Sequence, residues 1–173
     1  MTTTPQVKKF LLTAHVTSSV GWIGAICVFL GLAFIGLTSQ DPPTVRGVYL
    51  VMDRAAWLTL VPFAFASLAT GIVVSLATTW GLFRHYWVVF KLLIAVFATT
   101  VLVIYMETFS HMAAMAADDT IDLSAVRNPS PLLHAILALL ILLVATVLAI
   151  YKPQALTPYG LRKSRERRAA SQP

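Results

Sequence analysis

Phe10–Leu37 reads FLLTAHVTSSVGWIGAICVFLGLAFIGL and holds no Asp, Glu, Lys or Arg. A helix needs about 20 consecutive apolar residues to cross the hydrocarbon core of a bilayer, and this run exceeds that. Three further runs follow, Val48–Thr79, Tyr86–Ser110 and Pro131–Tyr151, with their few charges set mostly near the ends. Hydrocarbon offers the backbone no hydrogen-bond partner, so each run must satisfy its amides internally, as a helix does. The fold class is therefore all-α, an integral membrane bundle of four transmembrane helices. Residues 1–9 form a short N-terminal segment, 10–151 the membrane domain, and 152–173 a basic tail expected to be disordered.

Composition points the same way. Of 173 residues, 58% are hydrophobic and 12% charged, whereas an ordinary soluble domain carries about 25% charged residues. The net charge of +6 does not mark a nucleic-acid partner, because the basic residues gather at span ends and in the tail, where they control topology. Among the 13 lysines and arginines, Arg46, Arg54 and Arg127 fall on one side of the membrane and the others on the opposite side. That bias predicts cytoplasmic N- and C-termini and a place in the cell (inner) membrane. Asp41, Asp118, Asp119 and Asp122 then lie on the outer loops. Lys8 and Lys9 precede the first run as in a signal peptide, but a signal core is only about 7–15 residues long. A retained first helix is expected. The single cysteine, Cys27, has no partner for a disulfide and reads as packing.

Local signals divide the runs. Ser39–Pro43 breaks the chain after span one, and span two is expected from Val48. Pro62 should kink or loosen span two, and Gly81 can take the left-handed turn that closes it. Trp80–Trp87 makes a tight connection of headgroup-seeking residues. Span three is expected to continue to about Met115, Ala117–Ser130 to form the longest loop, and Pro131 to sit in the first turn of span four. Gly21, Gly24 and Gly31 in span one, and Thr70-Gly71 in span two, leave room for close helix approach.

Ionisable groups inside spans are costly and mark function or pairing. His15, Ser19 and Trp22 fall at i, i+4 and i+7 on one helical face, and Lys91 enters span three at a similar depth. This layer suits a porphyrin or quinone pocket, with His15 as haem-iron ligand or proton carrier. It equally suits a histidine bonded to a neighbouring helix and a lysine reaching for headgroups. No acidic side chain shares the layer, which points Lys91 toward an anion such as a propionate or phosphate. A second layer lies toward the other end, with Asp53, Arg54, Glu107, His111 and His134. Glu107 and His111 are i, i+4. His111 and His134, from neighbouring helices, offer an alternative site for a haem iron or a metal ion, or belong to an ion-pair network that fixes helix register.

The order of motifs is similar to that of a known group. His15, Trp22 and Gly24 in span one, Pro62, Thr70 and Gly71 in span two, and Trp87, Lys91 and Leu92 opening span three resemble the CopD-like small bacterial membrane proteins, which include HemJ-type protoporphyrinogen oxidases. The likeness covers about Phe10 to Tyr105. It implies haem b on His15 and an important role for Lys91. Where HemJ-type proteins carry a Tyr-His pair beyond that lysine, this chain has Thr100 and Val101, which cannot ligate iron. The likeness is therefore to the group's uncharacterised families rather than to the HemJ type.

Three functions stand open on these residues. The first is a haem-b protein of membrane electron transfer or porphyrin/quinone redox chemistry, an oxidoreductase if it is an enzyme. The second handles copper or another small solute, and the third is a ligand-free assembly subunit. The bilayer is the first partner. The basic tail suits anionic lipid, and a second copy or a membrane redox protein is the kind of protein partner expected.

Overall fold

A computed structural model describes residues 4–170. Helix α1 spans Pro5–Thr38; Thr4 caps its start, accepting from the Val7 amide, and Pro5 opens the first turn. Ser39 closes it, donating its amide to the Ile35 carbonyl at 2.9 Å. Helix α2, Pro42–Ala55, begins almost at once, six residues before the start expected at Val48. Pro42 and Pro43 cost nothing there, because first-turn amides have no intrahelical partner to lose. The Asp41 carboxylate accepts from the Thr44 amide at 3.1 Å and caps the new helix. The prolines end one helix and start the next.

Residues Ala56–Leu60 form a π-helical turn that joins α2 to α3, Val61–Ala77, making one continuous span. The cause is Pro62. It has no amide to donate, and its ring crowds the carbonyl four residues back, at Leu58. The wider turn absorbs that crowding: the Val61 amide reaches back to Ala56, and the Thr59 hydroxyl donates to the Ala55 carbonyl at 2.7 Å. Gly81 then turns the chain with φ 64°. Helix α4 runs Tyr86–Ala117, α5 is a single turn at Leu123–Val126 within the loop expected to be irregular, and α6 runs Ser130–Tyr151.

The tail, expected to be disordered, carries helix α7, Pro158–Ala170. It is stitched to the connection before α4. The Tyr86 amide donates to Ala155 at 3.2 Å, the Thr157 amide to Arg84 at 3.0 Å, and the Thr157 hydroxyl to Phe83 at 2.6 Å. Gly160 is required in this seam, since a Cβ there would lie 2.2 Å from the Arg84 carbonyl oxygen.

The four long apolar helices pack as a ring, each span against the spans before and after it, with α6 returning to α1. The diagonal pair α1 and α4 meets through long side chains, with the Phe29 and Phe109 rings edge to face at 5.6 Å. Trp22, Ile26 and Phe29 of α1, Tyr49 and Met52 of α2, and Met106, Phe109 and Met112 of α4 form the core. Most other apolar side chains face outward: Leu58 is 77% exposed, Ile104 and Ile150 70%. Water would not tolerate so much contiguous apolar surface on a monomer; lipid requires it. The chain is a multi-pass membrane protein.

Two arginines tie down the end that carries the α1–α2 and α4–α6 connections. The last carbonyls of a helix have no intrahelical donor, and a guanidinium presents several donors in one plane. Arg127 donates to Leu37 at 2.7 Å, Gly36 at 3.3 Å and Ser39, closing α1 from a distant loop. Arg46 donates to Ala116 at 3.2 Å, Asp118 at 2.8 Å and Ile121 at 2.6 Å, closing α4, while Asp119 lies 3.8 Å from its Nε. The buried Tyr49 hydroxyl accepts from the Asn128 amide at 3.0 Å. Arg127→Ala should lower unfolding stability in detergent by about 1.5–3 kcal/mol, the range for hydrogen bonds to a charged group, with partial recovery in Arg127→Lys. An unchanged melting curve would mean that the carbonyls find water equally well.

The loop also carries an acid-sensitive element. The Thr120 hydroxyl and amide hold the Asp118 carboxyl below its ordinary value, and the Ser124 hydroxyl and amide do the same for Asp122. A depressed carboxylate stabilises the fold above its unfolded value, near ~3.9, and that contribution is lost as pH falls through the folded value. Amide protection factors across residues 118–127, corrected for intrinsic exchange at each pH, should therefore stay constant down to about pH 4 and fall below it. The doubly substituted Asp118→Asn, Asp122→Asn chain should lack that acid step.

Candidate functional site

A polar seam joins α1 to α3. The Thr70 hydroxyl donates to the Ala66 carbonyl, so its oxygen accepts from His15 Nδ1 at 3.2 Å. The Ser18 hydroxyl donates to the His15 carbonyl at 3.0 Å, and Ser19 and Ser67 share a hydrogen bond at 2.8 Å. Glycines let the helices approach here. A Cβ on Gly71 would sit 3.0 Å from His15 Cε1, and one on Gly21 would sit 2.7 Å from the Phe63 ring. Gly24 and Gly31, expected in the same role, meet nothing within 4 Å. They lie on the outward face of α1, where a missing side chain makes no room for a neighbour within this chain.

The four residues read as one inner group have separate surroundings. His15 and Ser19 bond to α3. Trp22 is buried and lines a cavity farther along the bundle. Lys91 holds its ammonium 5.7 Å from the centroid of the Trp87 ring. His15 and Lys91 are near enough for their charges to interact, but neither lines the cavity.

That cavity, about 620 Å³, lies among α1, α4 and α6. Trp22, Ile26 and Phe29 form one wall, Val101, Tyr105 and Phe109 another, and His134, Ala138 and Ile141 a third. Ligand cavities commonly span about 300–1,000 Å³. Phe97, Leu137, Leu140 and Val144 also line it and are more than half exposed, so it opens sideways, toward the acyl chains.

The polar groups of its wall are few and fixed. His134 Nδ1 lies 2.9 Å from the Ser130 carbonyl, which can only accept, so that nitrogen carries the proton. In the neutral ring, Nε2 then keeps its lone pair, which is how proteins present histidine to a metal or a proton donor. The ring stacks on Tyr105 at 4.1 Å, and the Tyr105 hydroxyl donates to Ser130 Oγ at 2.9 Å.

His134 thus pairs with Tyr105 of α4, while His111 and Glu107 are exposed. Asp53 accepts from Ser110 at 2.9 Å. Among the described residues, no three of His, Cys, Asp and Glu gather closely enough to hold a metal ion. Tyr105 drew no attention as sequence. The one available signal was a phenol in the middle of a span, whose hydroxyl must find a partner.

Glycine substitutions separate the seam from the outward face. Gly71→Val should destabilise the bundle by about 1–3 kcal/mol, the usual cost of overpacking, and Gly24→Val by no more than about 0.5 kcal/mol. Thermal unfolding in detergent measures both; equal losses would show that the seam is not closely packed.

No family model matches the chain, and neither a curated protein nor a solved structure does. What the fold and its geometry establish is a four-span, all-α membrane bundle with a sideways-opening cavity walled in part by Tyr105 and His134.

Proposed function

We propose that this chain, set in a bacterial-type cell membrane with cytoplasmic termini, binds a lipid-dissolved ring of the hydroquinone or haem b kind in the cavity among α1, α4 and α6, in the service of membrane redox chemistry. The supporting observation is His134: its Nδ1 is committed to the Ser130 carbonyl in the wall of an otherwise apolar cavity of about 620 Å³. A neutral imidazole so oriented accepts a hydrogen bond from a hydroxyl or donates a lone pair to iron. Tyr105 supplies a flat face beside it.

The lining favours the hydroquinone of the two. It contains no lysine or arginine, so the propionates of a haem would meet no cation there, whereas a hydroquinone is uncharged. For haem b, His134 would ligate iron and the iron would supply one-electron chemistry; the residues of this chain would hold and orient the ring. The likeness to CopD-like and HemJ-type proteins puts haem on His15 instead. That ring packs against Gly71 and bonds to Thr70, which leaves a macrocycle less space than the cavity does. No comparable feature favours copper at His111 or a ligand-free assembly role.

Two titrations of the purified protein test this, one with a short-chain hydroquinone and one with haem, each read by quenching of tryptophan emission, since Trp22 lines the cavity. Saturable binding of one ligand should weaken about tenfold, or ~1.4 kcal/mol, in His134→Leu, and should vanish when Ala138→Phe fills the space. Absence of saturable binding by either ligand, or binding indifferent to both substitutions, would overturn the assignment.

A further inference from the structure

The end of the bundle where α1 begins and α6 ends has a different chemistry. The Trp80 and Trp87 rings meet edge to face at 5.4 Å, and His85 packs on Trp80 at 5.1 Å while its Nδ1 lies 2.9 Å from the Trp80 carbonyl. Over this pair lie two ammonium groups, Lys91 at 5.7 Å from the Trp87 centroid and Lys152 at 5.7 Å from the Trp80 centroid. Lys152 is held by the left-handed turn that ends α6, at φ 43°. The two charges are close enough to repel one another.

Among the described residues, no carboxylate pairs with them. Asp41, Asp53, Glu107, Asp118, Asp119 and Asp122 all lie toward the other end. Glu107, on the same helix as Lys91, is sixteen residues away, about 24 Å along the axis. Glu166 of α7 pairs with Lys163 at 3.3 Å. Among the described residues, neither ammonium has a hydrogen-bond acceptor, and ring faces satisfy only part of an ammonium's demand for three. Two neighbouring donors are also unmatched: the Trp87 indole N–H, in a residue only 8% exposed, and the Arg84 Nε. Unpaired buried donors are rare and costly. Lys91 and the Trp87 indole of α4, with Lys152 at the end of α6, make a place for a multiply accepting anion.

We infer that Lys91, Lys152 and the Trp87 indole bind a phosphate group at this end of the bundle. A phosphate has enough oxygens to meet several donors at once. The tryptophans belong to the headgroup layer of a membrane, so the group can arrive on a lipid or as a free anion. This site is separate from the cavity, and neither depends on the other.

Native mass spectrometry of the full chain in neutral detergent tests the lipid source, comparing phosphatidylglycerol with phosphatidylcholine. Calorimetric titration with inorganic phosphate, against chloride at equal ionic strength, tests the soluble source. Saturable binding of either probe should weaken about tenfold, as for loss of a charge-assisted bond, in Lys152→Gln and in Lys91→Gln. Trp87→Phe, which keeps the ring and removes the N–H, should weaken it by a smaller factor. Lys152 ends its helix and is exposed, so its substitution reads binding even if Lys91→Gln fails to fold. Phosphatidylglycerol alone marks a lipid site and phosphate alone a soluble one; either supports the inference. It is overturned if neither probe binds saturably. It is equally overturned if binding ignores both lysine substitutions and instead follows neutralisation of Arg162, Lys163 and Arg165 in α7.

Discussion

Every backbone amide and carbonyl that enters hydrocarbon must be met by the protein, and that demand governs this structure. Within spans the helix meets it. At helix ends, and wherever a residue interrupts the ladder, something else must. Pro62 interrupts it, and a π turn with the Thr59 hydroxyl answers. The carbonyls ending α1 and α4 are answered by Arg127 and Arg46 from elsewhere in the chain. These two side chains do more than satisfy acceptors. Because Arg46 reaches from α2 to the end of α4, and Arg127 from the loop before α6 to the end of α1, they set the axial register of these elements against one another.

The same demand explains which features could be read from the residues alone. Span number, span three's continuation and the turn at Gly81 follow from local properties: run length, the absence of charge, a glycine after an apolar segment. Pro62 announced a disturbance, though not whether kink or π turn would relieve it. What escaped was relational. Arg46 and Arg127 read as topology markers, because a carbonyl at a helix end leaves no trace in side-chain identity. Gly24 and Gly31 looked like Gly21 and Gly71, because small residues are alike until the facing helix is known. The tail's composition spoke for disorder, while Gly160 and Thr157, which seat α7 against the connection at Arg84, carried no such signal.

The candidate site divides similarly. His15, Ser19, Trp22 and Lys91 were recognisable as costly or polar groups in spans, and the structure gives each a partner or a wall. His15 and Lys91 are near enough for their charges to interact, while Trp22 stands farther along the bundle. His15 meets Thr70, Lys91 meets Trp87, and Trp22 faces the cavity that His134 lines. The pairing of His134 with Tyr105 crosses two helices, with no spacing in the chain to reveal it. His111, one turn from Glu107 on α4, had the better local pattern but stands exposed.

The two ends of the bundle have opposite electrostatic solutions. At the end with Arg46 and Arg127, these two guanidinium groups are spent on backbone carbonyls, and Asp118 and Asp53 accept from the hydroxyls of Thr120 and Ser110. At the other end, Lys91 and Lys152 face only aromatic rings, and the Trp87 indole has no acceptor. The difference is local, and it follows from where the carboxylates stand: Asp41, Asp53, Glu107, Asp118, Asp119 and Asp122 lie toward one end of the bundle, and Lys91 and Lys152 toward the other.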